Sequence, residues 1–154
     1  MIQRIQTLYL IVVTILLVFI IFFPIADFIR STDEMIFSLS VSGLVSDSGE
    51  IVEHFSVYPL FVLLGVSILI TLSTIFLYKK RMLQIRFCIF NIIVLLGFQG
   101  LMFYYVRFAQ TYLPGTASYN LFFVFPVVSA ILVFLALRAI ARDEALVRSL
   151  DRLR

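Results

Sequence analysis

Four stretches of the chain contain no Lys, Arg, Asp or Glu: residues 8–26, 57–78, 87–106 and 119–137. Each supplies about 19–22 residues, enough for a helix to cross roughly 30 Å of hydrocarbon. In lipid such segments must be helical, because an unpaired backbone amide there costs several kcal/mol. The pattern predicts four transmembrane helices. The first run is longer than the apolar core of a secretory signal, and Phe22-Phe23-Pro24-Ile25-Ala26 is a poor small-residue cleavage site, so we expect it to be retained as a span. Pro126 is expected to kink the fourth helix.

The segment between the first two runs has a different period. Phe37, Leu39 and Val41 alternate with Ser38, Ser40 and Ser42, as in a strand with one buried face. Ser46-Asp47-Ser48-Gly49 offers a turn, and Ile51, Val52 and Phe55 a second short strand. Residues 33–56 are therefore expected to form a small β-hairpin, which must rest its apolar face on the helix ends, since an isolated hairpin is marginal in water. The second loop on this side, residues 108–118, is broken by Pro114-Gly115 and is expected to cover one side of the same cap. The fold class is thus an all-α polytopic membrane protein: one domain over 1–154, a four-helix bundle with a small extracytoplasmic β element and a cytoplasmic C-terminal helix. No internal repeat of the kind found in duplicated transporters is visible.

Composition agrees and excludes alternatives. The 154 residues are 62% apolar and 14% charged, against about 45–50% and about 25% in soluble domains. A soluble enzyme, a disordered tail and a disulfide scaffold are all excluded. The net charge of +3 does not indicate a nucleic-acid partner, because the basic residues flank apolar runs instead of forming an aromatic-interleaved patch. Their distribution orients the chain. Arg4, Lys79, Lys80, Arg81, Arg86, Arg138, Arg142, Arg148, Arg152 and Arg154 fall on one side, and only Arg30 and Arg107 on the other. Asp27, Asp33, Glu34, Asp47, Glu50 and Glu53 lie opposite the basic majority. The positive-inside rule then puts both termini and the 79–86 connection in the cytoplasm.

Candidate chemistry is sparse. Cys88 is the one cysteine and His54 the one histidine, too few ligands for a zinc or haem site. Asp47-Ser48-Gly49-Glu50 lacks the alternating oxygen ligands of a calcium loop and reads as a turn. His54, beside Glu53, reads as a strand residue, with a pH sensor as the functional alternative. No nucleophile–base order or Gly-rich phosphate loop is present, so the expectation is a non-enzyme without cofactor. Asn91 and Gln99 lie within the third span, about 80° apart around a helix. They could line a polar track for a solute or ion. Alternatively they bond across a close contact at Gly97 and Gly100, with the Gly65, Ser67, Thr71, Ser73 and Thr74 side of span two as partner. Packing is favoured, because a transport path normally carries an intramembrane ionisable group. Asp27 and Arg107 fall at the outer boundary and are expected to pair, with Arg30 as a competitor.

The tail, residues 138–154, continues the helical register of span four. Leu146, Leu150 and Leu153 make an apolar stripe flanked by Arg148 and Arg152, and Glu144 sits one turn before Arg148. It is either an amphipathic helix on the membrane surface or a docking helix for a partner; the interspersed Asp143, Glu144 and Asp151 count against simple binding to anionic lipid. Residues 1–10, Met1-Ile2-Gln3-Arg4-Ile5-Gln6-Thr7-Leu8-Tyr9-Leu10, and the tail from Asp143 to Arg154 resemble the two ends of a family of small four-span inner-membrane proteins of Bacteroidota catalogued as a domain of unknown function. The resemblance implies a bacterial inner-membrane location and brings no activity or catalytic residue. The functional expectation is an accessory or scaffold subunit of a larger inner-membrane complex, contacting the lipid bilayer along its spans and partners through the tail and outer cap. The alternative is a small oligomeric transporter or channel using Asn91 and Gln99.

Overall fold

A computed structural model of the protein describes residues 3–30, 35–46, 57–77, 80–112 and 115–151. Four helices carry the architecture: α1 (Gln3–Phe22), α2 (Tyr58–Phe76), α3 (Arg81–Tyr112) and α4 (Phe125–Asp151). All four are long and apolar enough to cross a membrane. They run up, down, up and down, each packed chiefly on its neighbours in chain order, with α4 closing the ring on α1. The central stripe comes from Leu10, Val13, Leu17 and Ile20 of α1, Leu60 and Leu64 of α2, Leu95, Phe98, Met102 and Val106 of α3, and Val133, Ala136 and Ile140 of α4. Only 28–33% of each apolar window is buried by the protein itself. Ile11, Phe61, Leu69, Ile93, Leu96, Ile131 and Phe134 project outward from the bundle, a skin too apolar for a water-soluble monomer.

The β element is larger than the expected hairpin. It is a four-stranded antiparallel sheet in the order β3-β2-β1-β4, from β1 (Ala26–Arg30), β2 (Ile36–Ser40), β3 (Gly43–Ser46) and β4 (Gly115–Tyr119). The helix ends before the first apolar run does, for a local reason. Pro24 disfavours a helical Phe23 and has no N–H to donate, so the helix ends at Phe22, with Phe23 N–H donating back to Phe19. Ile25 then donates to Leu39 and accepts from Asn120, which starts the sheet.

Two further expectations are corrected. The strand expected to run through Val41 ends at Ser40, and the chain turns at Val41-Ser42; of the turn expected at Ser46-Asp47-Ser48-Gly49, residues 47–49 lie outside the described residues. Ser40 pairs with Gly43, whose φ of 151° suits glycine, and the Ser40 hydroxyl bonds both Ser42 Oγ and the Gly43 carbonyl. Ser46 ends β3, while the expected second strand at 51–55 lies outside the described residues. Pro126 does not kink a helix. Residues 121–124 form a separate 3-10 turn, and Pro126 occupies the first turn of α4, where a missing N–H is harmless. Pro59 plays the same part at the start of α2.

The sheet's inward face, with Ala26 and Phe28 opposite Leu39 and Phe37, and Leu44 beyond, joins the bundle core in one continuous apolar cluster. A stack of rings bolts the end of α1 to the start of α4: Phe23 lies parallel to Phe122 at 4.5 Å, and Phe122 meets Phe125 edge-on at 5.1 Å. The sheet therefore closes one end of the bundle, and the α2–α3 connection, the start of α1 and the end of α4 gather at the other.

Candidate functional site

The polar groups within the bundle are concentrated between α2 and α3. Ser67, Thr71 and Thr74 follow i, i+4, i+7 along α2 and are all buried; Asn91 and Gln84, seven residues apart on α3, face them. Ser67 donates to the Asn91 carbonyl oxygen at 2.9 Å, and the Asn91 amide donates to Thr71 Oγ1 at 2.8 Å. Thr71 and Thr74 return their hydroxyl protons to the carbonyls of Ser67 and Ile70 in their own helix. Gln84 donates across the interface to the Thr74 carbonyl at 3.2 Å. Asn91 is thus engaged through both ends of its amide in a contact with span two.

Gln99 does not join it. Two turns further along α3, its Oε1 is buried without a hydrogen-bond partner, as are Gln6 Nε2 and Ser129 Oγ. The glycines do not create the contact either. A Cβ added at Gly65, Gly97 or Gly100 would meet nothing within 4 Å, and Gly97 and Gly100 are exposed. Side-chain hydrogen bonds, not small-residue close approach, join α2 to α3. Gln84, Gln6 and Ser129 were not singled out in the sequence. Gln84 had a usable signal, since it lies seven residues from Asn91 and so on the same helical face.

At the sheet end, Asp27 accepts from Ser38 Oγ at 2.8 Å and from Asn120 Nδ2 at 2.8 Å, and Asn120 also donates to the Pro24 carbonyl. The structure does not bring Asp27 and Arg107 together. Asp27 sits on β1 opposite Ser38 and Ser118, on the sheet face turned away from Ala26 and Phe28. Arg107 is exposed on α3, its guanidinium 5.4 Å from the Phe103 ring centroid one turn earlier. Arg30, three residues along the strand from Asp27, projects from the opposite face and lies over Phe37 at 4.6 Å. Alternation along β1 separates the charges that linear distance suggested would meet.

The tail is one helix with span four: α4 runs without a break to Asp151. Leu146 is exposed; Arg148 and Leu150 lie on the helical backbone, and Arg152 and Leu153 fall outside the described residues. Arg81, at the start of α3, donates to the Asp143 carbonyl at 3.4 Å, and Lys80, Arg81, Met82 and Leu83 form a recess with Glu144 and Val147. His54 lies outside the described residues, and among those described no three of His, Cys, Asp or Glu converge.

The model of a family described as a domain of unknown function, DUF4293, matches residues 2–153. The chain belongs to the DUF4293 family. No curated protein matches it. The DUF4293 match spans every element described above, so bundle, sheet and continuous α4 form one family unit.

The α2–α3 seam predicts unequal costs for the two amides of α3. Asn91→Leu strands Ser67 and Thr71 and should cost about 1–2 kcal/mol, whereas Gln99→Leu should stay within about 0.5 kcal/mol of wild type. Reversible unfolding in mixed micelles, followed by circular dichroism, measures both.

Proposed function

We propose that this DUF4293 protein is a non-enzymatic accessory or scaffold subunit of a larger assembly in a bacterial inner membrane, with both termini in the cytoplasm. The observation that carries the reading is the unbroken course of α4. From Leu137, where its apolar run ends, to Asp151 is 14 residues of continuous helix, about 20 Å at 1.5 Å per residue. A helix that lay down on the membrane surface would need a bend where the span ends. The helix is uninterrupted across that point, and Arg81 steadies the first part of the extension. A helical arm displaying Leu146 suits a protein contact better than a lipid-surface anchor. The sheet supplies a second contact element at the other end: among the described residues, β3 and β4 each pair on one side only. Orientation rests on the ten-to-two split of basic residues between the two ends.

Two measurements follow. Single cysteines at Ser42, on the sheet turn, and at Ala145, on the arm, both exposed, are introduced with Cys88 replaced. Ser42→Cys should label with an impermeant maleimide in spheroplasts and Ala145→Cys only after lysis; equal labelling would overturn the orientation. The proposed role is tested by affinity purification from cells at native expression, comparing full length with a chain ending at Ala141 and with Leu146→Asp/Leu150→Asp. Both variants should insert normally and lose the same co-purifying membrane proteins by about ten-fold or more, since apolar burial contributes about 25 cal/mol per Å². Unchanged recovery would exclude the arm as the contact.

A further inference from the structure

At the end of the bundle where α1 begins and α4 ends, these two helices flank a groove of about 340 Å³ lined by Ile5, Tyr9, Leu135, Arg138, Ala139 and Arg142. Its floor and its two charges have different chemistry. Ile5 and Leu135 are apolar and exposed, continuing the outward skin of α1 and α4. Arg138 directly follows the last apolar residue of span four, and Arg142 stands one turn beyond it on the same face. Among the described residues neither guanidinium has a hydrogen bond, an ion pair or a ring contact. The acids of the same helix point elsewhere. Asp143 and Glu144 lie about 100° and 200° further round from Arg142, and Glu144 lines the separate recess beside Lys80 and Arg81. Among the described residues no acid lines this groove, and the charges that line it are both positive.

We propose that this groove binds one anionic glycerophospholipid of the leaflet at that end, its phosphate held between Arg138 and Arg142 and an acyl chain laid along Ile5 and Leu135. Depth supports the assignment. The arginines stand where apolar span gives way to charge, the level of lipid phosphates, and Tyr9 lies at the same boundary, where its ring and hydroxyl suit the interface. Two arginines one turn apart match a phosphate diester, which accepts from both at once. A soluble acidic peptide would find only the headgroup half of the site complementary and would leave the apolar floor against lipid. The proposal rests on the multi-pass membrane reading above, and basic pockets between helices at the headgroup level are a known physical solution for anionic lipids.

The test uses the full-length protein in a mild nonionic detergent, with native mass spectrometry after addition of phosphatidylglycerol or phosphatidylcholine carrying identical acyl chains. Wild type should retain phosphatidylglycerol about ten-fold better than phosphatidylcholine. Arg138→Gln/Arg142→Gln should abolish that preference with phosphatidylcholine binding and lipid-free melting unchanged. Arg86→Gln, which removes an exposed arginine from α3 near the same end, should keep it. An equal loss in Arg86→Gln would reduce the site to diffuse basic charge and overturn the proposal, as would equal retention of the two lipids by wild type. Glycerol 3-phosphate at matched concentration should not compete; displacement by it would mean a phosphate site without a lipid role. Carbonate extraction of the same variants separates the two readings: a chain that stays in the membrane but shows no lipid preference refutes the groove alone.

Discussion

Everything in this protein follows from a mismatch between apolar surface and self-burial. Four helices are apolar on most of their circumference, yet the protein covers only 28–33% of each apolar window. No arrangement of 154 residues hides the remainder. Where the surroundings are apolar, each backbone amide must be satisfied within its own segment, so helices are the one available element along the spans. The same constraint governs the side chains. A hydroxyl or amide turned outward would lose its partners, and so Ser67, Thr71, Thr74 and Asn91 are collected into one seam between α2 and α3. In such surroundings apolar burial no longer distinguishes inside from outside, and bonds such as Ser67–Asn91 and Asn91–Thr71 set which helix faces meet.

The two ends of the bundle meet different demands. At one end the chain emerges from α1 and α3 directly into strands, and the sheet seals the core with Phe28, Phe37, Leu39 and Leu44. On its other face, which also carries the exposed pair Ile29 and Ile36, Asp27 accepts hydrogen bonds from Ser38 and Asn120. At the opposite end no strand lies among the described residues. The start of α3 is tied to α4 by the Arg81–Asp143 bond, and the space between α1 and α4 is the basic groove. On the reading proposed above, one end is a closed, ordered platform and the other presents a helix and a lipid-sized recess.

How much of this could be read from sequence depended on whether hydrophobicity changed where structure changed. It does within the spans, whose centres are marked by the absence of charge. It does not at Phe22-Phe23-Pro24-Ile25-Ala26 or at residues 119–126, where helix, turn and strand share one apolar run. There Ala26, the first residue of β1, was absorbed into span one and the 3-10 turn into span four, and Pro126 was consequently misread as a kink. Missing β1 also hid the parity that sets Asp27 and Arg30 on opposite sheet faces, so an Asp27–Arg107 pair looked reasonable. β4 is a five-residue strand with only Ala117 and Tyr119 alternating against Thr116 and Ser118, too faint to separate from a loop. Asn91 was legible because an amide at that depth demands a partner, and span two held the nearest run of hydroxyls. Gln99 looked equivalent, and only the helix phase and the packing of neighbours distinguish the two.

The central claim is that the outward apolar face of the bundle meets acyl chains and not water. Spin labels at Ile93 and Leu96, which project from α3, and at Leu95, which points into the core, test it in reconstituted vesicles by power-saturation paramagnetic resonance. Labels at Ile93 and Leu96 should collide freely with molecular oxygen and scarcely with a water-soluble nickel chelate, while the label at Leu95 is shielded from both. Strong nickel collisions at Ile93 or Leu96 would place that face in water and contradict the account.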